Sequence, residues 1–487
     1  MNILTLLILS PFLGSLIVLV LNKHHTRLIK LISGIFTIIP LILGSILFLL
    51  FDPSTTSLQF VENHLWISQL GIRYYVGVDG ISLIMIILSS FMGVLSYVLS
   101  LSIRERVKEY FLLFLVQYGA LLGVFAAIDV LLFFVFLQIS MIPIFLLITI
   151  FGMENKIYAS RHFALYNLTA SILLLISTIC IYANIGSGGV DLLNLSQVSS
   201  GFSSGFRTLL VILLFFSFGI ISGVFPFHGW VSIASRQAPL QVAVILTGVS
   251  LKVGIYGLIR FVMPIFSQGV YFNNKLFLVF GLVTILYSAI YCLSQKDLRL
   301  LVGCISTVYS GYLLLGFGAF NAVGLNGIVL TMVAHGLFIS SLFVLVDCLF
   351  IRSGKMIITE FGGLSTKMPV FTAFSILIIL AAIGLPGFGT FIGIFLSFLG
   401  AFDEYPVITS LAFIGIAVVT VAFLKLLQDM FFSASKLQLD NLTDLNIKEI
   451  LTLLPFVLIL FVLGIYPKVL LDFINMTVIN ICQILQR

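Results

Sequence analysis

Apolar segments of about twenty residues follow one another along almost the whole chain, separated by short polar connections. About twenty such residues cross the hydrocarbon core of a bilayer as an α-helix. In that solvent every backbone N–H and C=O must be satisfied internally, which leaves helices or a closed barrel. A barrel would alternate apolar and polar residues over segments of about ten, and these runs are uninterrupted. Only 9% of the 487 residues are charged and 61% are apolar, against roughly a quarter charged in soluble domains. The expected fold is an all-α integral membrane protein with no room for a soluble catalytic domain.

Spans are expected near residues 2–21, 29–51, 80–101, 110–128, 130–151, 163–185, 208–227, 240–263, 276–295, 300–320, 325–351, 370–402, 407–427 and 450–472, about fourteen in all. The first run lacks a basic leader and an A-x-A cleavage site, so it reads as a span and not a signal peptide. The 370–402 run is overlong, and Gly384-Leu385-Pro386-Gly387-Phe388-Gly389 should break it, because proline removes a backbone donor and the freed carbonyls need other partners. Pro226 and Pro143 threaten their spans in the same way. The segment 230–239 is too polar to span and should lie at the interface. Gly186-Ser187-Gly188-Gly189 and Ser199-Ser200-Gly201-Phe202-Ser203-Ser204-Gly205 read as flexible connections, and the loops 52–79 and 186–207 are the longest.

Loop charge orients this array. Sixteen Lys and Arg fall in odd-numbered loops: Lys23, Arg27, Lys30, Arg104, Arg106, Lys108, Lys156, Arg161, Arg236, Lys296, Arg299, Arg352, Lys355, Lys367, Lys436 and Lys448. Four fall in even-numbered loops: Arg73, Arg207, Arg260 and Lys275. Basic loops stay on the cytoplasmic or matrix side, so both termini should lie on the opposite, positive side. The pI of about 9.0 therefore reflects topology and gives no reason to expect nucleic acid. The five cysteines are scattered without a CxxC pair and read as small core residues.

An ionisable residue at membrane depth is costly and is a functional candidate by default. Lys252 lies mid-span, too far from either end to snorkel easily. Its plainer role is a hydrogen bond to carbonyls of a broken helix; its sharper one is charge transfer. His335 could relay protons or serve as a satisfied core donor. Asp347, on the same helix, could pair with a cation or lie near the interface. Lys425, near a span end, could snorkel. His228 follows Pro226 at an expected break, and Asp129 between two spans reads as a loop carboxylate or cap. No glutamate falls inside a span, and Gln138, in the fifth, can hydrogen-bond water but cannot hold a proton. No Walker loop, G-x-G-x-x-G strand–helix unit, HExxH or cysteine cluster is present, so no cofactor is expected in this chain.

Several motifs resemble one family: Tyr75-Val-Gly-Val-Asp-Gly-Ile-Ser-Leu83, Pro226-Phe-His-Gly-Trp230, Ala238-Pro239, Leu251-Lys-Val-Gly-Ile-Tyr-Gly-Leu-Ile-Arg260, Lys296-Asp-Leu-Arg299, His335-Gly-Leu337, Gly362-Gly-Leu364, Pro386-Gly387, Thr443-Asp-Leu-Asn446 and Gly464-Ile-Tyr-Pro-Lys468. Together they are similar to the antiporter-like M-type subunit of respiratory complex I (the NADH dehydrogenase subunit 4 family), which is related to Mrp-type antiporter subunits. The resemblance implies fourteen helices with two inverted five-helix repeats, helices 4–8 and 9–13, and broken helices 7 and 12. On this chain that gives segments 1–109, 110–263, 264–430 and 431–487. It implies a multi-pass protein of a bacterial cytoplasmic or mitochondrial inner membrane, contacting lipid and flanked by L-type and N-type relatives. NADH, FMN, iron–sulfur clusters and quinone would belong to partner subunits. An Mrp-type antiporter, a membrane hydrogenase or an ion-coupled uptake complex is the alternative setting.

The proton route implied by the resemblance keeps Lys252 and His335, with His228, Asp347 and Lys425 as further candidates. It departs elsewhere. Gln138 stands for a helix-5 glutamate, Ile221 for a helix-7 lysine, Tyr309 for a helix-10 histidine and Ile394 for a helix-12 charge. Ile233 replaces the glutamate of an interfacial Leu-Pro-Glu motif. Gln138 and Ile221 cannot form the ion pair that would switch Lys252, so the resemblance supports assembly more strongly than pumping.

Overall fold

The structure is a computed structural model that describes residues 2–67, 71–185, 191, 195, 197, 199–265, 274–434 and 442–486. Thirteen of its helices are long and apolar enough to cross a membrane. They are α1 (Ile3–Val20), α2 (Thr26–Leu50), α3 (Gly80–Ser100), α4 (Val107–Ala126), α5 (Val130–Phe151), α6 (Lys156–Ile185), α7 (Ser204–Ser222), α9 (Leu240–Val262), α10 (Asn274–Ser294), α11 (Leu298–Gly318), α12 (Ala322–Ser353), α15 (Pro406–Phe432) and α16 (Ile447–Ile465). The nine-residue α8 (Gly229–Gln237) covers the polar 230–239 segment, and α17 (Lys468–Gln486) ends the chain. The overlong run is divided into two short apolar helices, α13 (Pro369–Ala382) and α14 (Gly389–Phe402), as its glycines and proline predict. The Gly186–Gly189 connection and Lys436 lie outside the described residues.

Polar side chains start several helices where the chain enters the apolar layer. The Asp79 carboxylate accepts the Ile81 and Ser82 amides in a capping box. Asp129 does the same for Leu131 and Leu132, Asp297 for Leu300, and Asn446 with Glu449 builds a second capping box. Each satisfies amides that a helix start leaves without partners. Two expectations need correction. Pro143 leaves α5 unbroken over 22 residues, since a span can meet freed carbonyls from neighbours. Arg260 is not a loop charge: it lies inside α9 and is buried.

Two compact units emerge from the chain: residues 1–222 with 237–273 and 472–487, and residues 223–236 with 274–471. In the first, α9 is enclosed along its whole length while α2 and α6 are only one-third buried. The long 52–79 loop holds an antiparallel hairpin, β1 (Gln59–Ile67) and β2 (Ile72–Val78). From it Glu62 reaches α1, whose Leu4 and Thr5 amides donate to its carboxylate at 2.9 and 3.2 Å. That places a negative charge at the positive end of a helix. Beyond Asp472, α17 lies against the start of α3: the Gly80 amide donates to the Thr477 hydroxyl at 3.0 Å, and Phe473 stacks on Phe48. A side chain at Gly80 would put its Cβ 1.9 Å from the Phe473 carbonyl. In the second unit α11 and α12 are almost wholly enclosed, whereas α10, α15 and α16 leave broad apolar faces exposed.

Candidate functional site

Lys252 occupies the centre of α9, where the helix widens into π-type turns on both sides, Leu246–Ser250 and Leu258–Val262. In a regular α-helix the Leu251 amide would donate to Thr247; here it donates to Leu246 at 3.0 Å. The Thr247 carbonyl is met instead by the Lys252 ammonium. Insertions of this kind recur at functional sites. Gly254 lets α9 approach α7 closely, since a Cβ there would stand 2.3 Å from the Phe218 carbonyl. The α7 turn in that contact ends in Ile221 and Ser222, both buried. Among the described residues no carboxylate pairs with Lys252. Gln138 of α5 accepts the Ser171 hydroxyl at 3.0 Å, and its amide nitrogen has no hydrogen-bond partner among the described residues.

In the second unit the break after α13 is formed by Gly384 and Gly387, at φ +73° and +105°, values that favour residues without a Cβ. Two carbonyls at the break are met by side-chain hydroxyls. Ala381 accepts the Thr390 hydroxyl at 2.6 Å, and Ala382 accepts the Tyr309 hydroxyl of α11 at 2.9 Å. The Tyr309 ring stacks on His335 of α12, with centroids 4.7 Å apart and planes 8° from parallel. Both residues are 1% exposed. Gly393 and Gly327 bring α14 against α12, because a Cβ on either would overlap backbone of the other helix. Ile394 is buried, with its Cδ1 3.4 Å from where a Gly384 Cβ would lie, so an alkyl group faces the break where the resemblance implies a charge.

The remaining candidates sit at helix ends. Asp347 pairs with Arg299, which also donates to the Arg236 carbonyl at 3.1 Å, while Arg236 pairs with Asp297 at 2.9 Å. Asp347 is thus a network partner, the cation-paired alternative. His228 lies in the break after α7, its ring against Phe225 and Tyr287. Burial pushes its imidazole below the ordinary value, and a hydrogen bond with the Pro226 backbone acts the other way. Lys425 is exposed and lines a cavity of about 270 Å³ with Lys296 and Asp429. Asp129 caps α5 as one alternative expected; burial pushes its carboxyl up to about 6 against the lowering effect of its backbone hydrogen bonds.

Sequence reading missed the pair joining Asp79 to Arg260, in which two guanidinium nitrogens meet two carboxylate oxygens and both side chains are at least nine-tenths buried. Burial opposes ionisation of Asp79, and the guanidinium outweighs it, holding the carboxyl below its usual range. The signal was present: an aspartate at a span entrance and an arginine eight residues beyond Lys252 on an otherwise uncharged helix. Among the described residues no three His, Cys, Asp or Glu cluster as a metal ion would require.

Apolar helices, a helix broken in mid-run and a lysine at a helix centre define a polytopic membrane protein. Residues 127–420 match the family described as NADH:quinone oxidoreductase/Mrp antiporter, transmembrane. The chain is 32% identical over 462 residues to NADH-quinone oxidoreductase subunit M of Rickettsia bellii, covering 94% of this chain and 92% of that one. It is 32% identical over 480 residues to NADH-ubiquinone oxidoreductase chain 4 of Marchantia polymorpha, covering 98% and 96%. The fold is similar to a chain of respiratory complex I from Thermus thermophilus (TM-score 0.89, 24% identity, 99% of each chain). It is also similar to a chain of the Mrp complex from a Dietzia species (TM-score 0.87, 19% identity, 100% of each). The chain belongs to the NADH:quinone oxidoreductase/Mrp antiporter transmembrane family.

Proposed function

We propose that this chain is the M-type, antiporter-like subunit in the membrane arm of a respiratory NADH:quinone oxidoreductase, and that its own proton route is impaired. The first part rests on near-full-length identity to subunits named M and chain 4. In this reading the chain is built on two inverted five-helix repeats and sits between L-type and N-type neighbours. Its membrane is a bacterial cytoplasmic or mitochondrial inner one, with both termini on the positive side. NADH, FMN, iron–sulfur clusters and quinone belong to partner subunits.

The second part is supported by one observation: the Lys252 side-chain nitrogen donates to a backbone carbonyl of its own helix, while Gln138 and Ile221 stand where the resemblance implies a switching ion pair. A carbonyl is always an acceptor and never changes charge, so nothing in that contact drives Lys252 between protonation states. Tyr309 is likewise spent on the Ala382 carbonyl, and Ile394 keeps the break apolar. The subunit then acts as a packed spacer that transmits shape changes along the arm. The test is to reconstitute the parent assembly and compare protons moved per NADH with a variant carrying Gln138→Glu and Ile221→Lys. A higher ratio in the variant is expected; a full complement in the unaltered assembly overturns the reading.

A second reading, that the chain still conducts, is favoured by the buried Ser250 hydroxyl two residues before Lys252, which has no partner among the described residues. Such a group calls for water. Hydrated segments past Ser222, Thr247, Ser250 and Lys252 in the first unit and past Tyr309 and His335 in the second would then carry protons, and Lys252→Ala would abolish that share of pumping.

A further inference from the structure

The cavity beside Lys425 is used by neither reading of the proton route. It lies in the second unit, where α10 ends, α11 begins and the last turns of α15 pass over residues 358–359. Lys296 and Lys425 line it, with Gln295, Thr359, Leu301 and Asp429. Both lysines are exposed, and among the described residues neither forms an ion pair. Among the described residues of the lining, Asp429, one turn beyond Lys425 on the same helix, is the only acid, and those residues carry a net charge of +1. We propose that this cavity holds the phosphate headgroup of an anionic phospholipid, gripped by Lys296 and Lys425, with its acyl chains lying along the exposed faces of α10 and α15.

Size and position support a lipid over a free anion. About 270 Å³ is well above the ~30 Å³ share of one water and just under the ~300–1,000 Å³ of sites for drug-sized ligands. It suits a headgroup and excludes the tails. Immediately along the helices, α10 exposes Tyr287, Ile290 and Leu293, and α15 exposes Ile414, Val421 and Leu424. The two helices meet where Ile285 fills the space left by Gly415, so a shallow apolar seam leads away from the cavity. Lys296 belongs to the basic loop face of the chain, and Lys425 lines the same cavity from α15, on the side where anionic lipids are drawn to basic residues. Lysine suits this task, since its stem lies on apolar surface while the ammonium reaches the headgroup layer.

The test uses the parent assembly in phosphatidylcholine nanodiscs containing a minor fraction of photo-crosslinkable phosphatidylglycerol, with peptide mapping of the adducts. Crosslinks to α10 and α15 are expected in the unaltered protein. Lys296→Gln and Lys425→Gln should each lower phosphatidylglycerol retention about fivefold, and together roughly 30-fold. The double variant Lys296→Arg with Lys425→Arg (the Arg pair) should retain it, and Lys23→Gln, elsewhere on the basic face, should leave it unchanged. Equal retention in the double Gln variant, or equal crosslinking by a phosphatidylcholine probe, overturns the proposal. So does inorganic phosphate displacing the probe at concentrations where it competes equally with short-chain phosphatidylglycerol, which would mark an anion site without lipid. Should the double variant fail to assemble, the two single variants and the Arg pair still separate these outcomes, because each alters one lysine or keeps both charges.

Discussion

Four acid–base pairs near helix ends contrast with two buried polar side chains, Lys252 and Tyr309, in helix middles. At the ends, Asp79 meets Arg260, Arg299 meets Asp347, Arg236 meets Asp297 and Arg352 meets Glu449. In the middles, Lys252 and Tyr309 each meet a backbone carbonyl that an irregular helix has freed. An ion pair gives each charge a counter-charge and makes removal of one partner expensive. A carbonyl gives only a dipole, which suits a hydroxyl and leaves an ammonium with no counter-charge. The ends are therefore built as joints, while in the middle Lys252 has no counter-charge and contributes little to holding the fold together.

Several experiments would break or sharpen this contrast. The largest effect is expected from Arg260→Ala, which strands the Asp79 carboxylate: about 3–5 kcal/mol of stability should be lost, seen as collapse of the thermal transition in detergent. Asp79→Asn with Arg260→Met should recover much of it, and failure to recover would mean that the pair does more than balance charge. Lys252→Met should leave the transition unmoved or raise it by about 1–2 kcal/mol, because an unpaired buried charge gives way to an apolar side chain of similar length. A large loss there would erase the distinction between ends and middles. Tyr309→Phe removes one neutral hydrogen bond and should cost about 0.5–1.5 kcal/mol, with proton stoichiometry unchanged on the spacer reading.

A further test concerns pH. The Asp129 carboxyl is raised from 3.8 to about 6 in the fold, chiefly by burial. A group raised in the folded state favours folding below its unfolded value, and that advantage is lost as pH rises through about 6. Asp129→Asn keeps a capping side chain and should flatten the stability profile between about pH 4 and 6. An unchanged slope would show that the carboxyl titrates normally.

Much of this was legible beforehand. The span positions followed from run length, the split between α13 and α14 from Gly384, Pro386 and Gly387, and Lys252 stood out because charge is rare in such runs. The hairpin in the 52–79 loop did not stand out, since its strands carry mixed polar residues and draw order from Glu62 capping α1. The terminal helix α17 was equally hidden, as it is less apolar than a span and its seat depends on Gly80. Arg260 was misassigned because a one-dimensional reading takes an arginine near a span end as a loop charge, and only the approach of Asp79 makes its burial tolerable.

Class and inventory follow from the sequence alone: apolar runs long enough to span, a basic bias on alternate loops, and two ionisable side chains, Lys252 and His335, inside spans. Those properties are local, summed over twenty residues or fixed by the identity of one. Tertiary structure decided what each polar group faces. Whether Lys252 meets a carboxylate or a carbonyl, and whether Tyr309 lines a wire or caps a broken helix, depends on contacts with other turns and helices that no single stretch of sequence specifies.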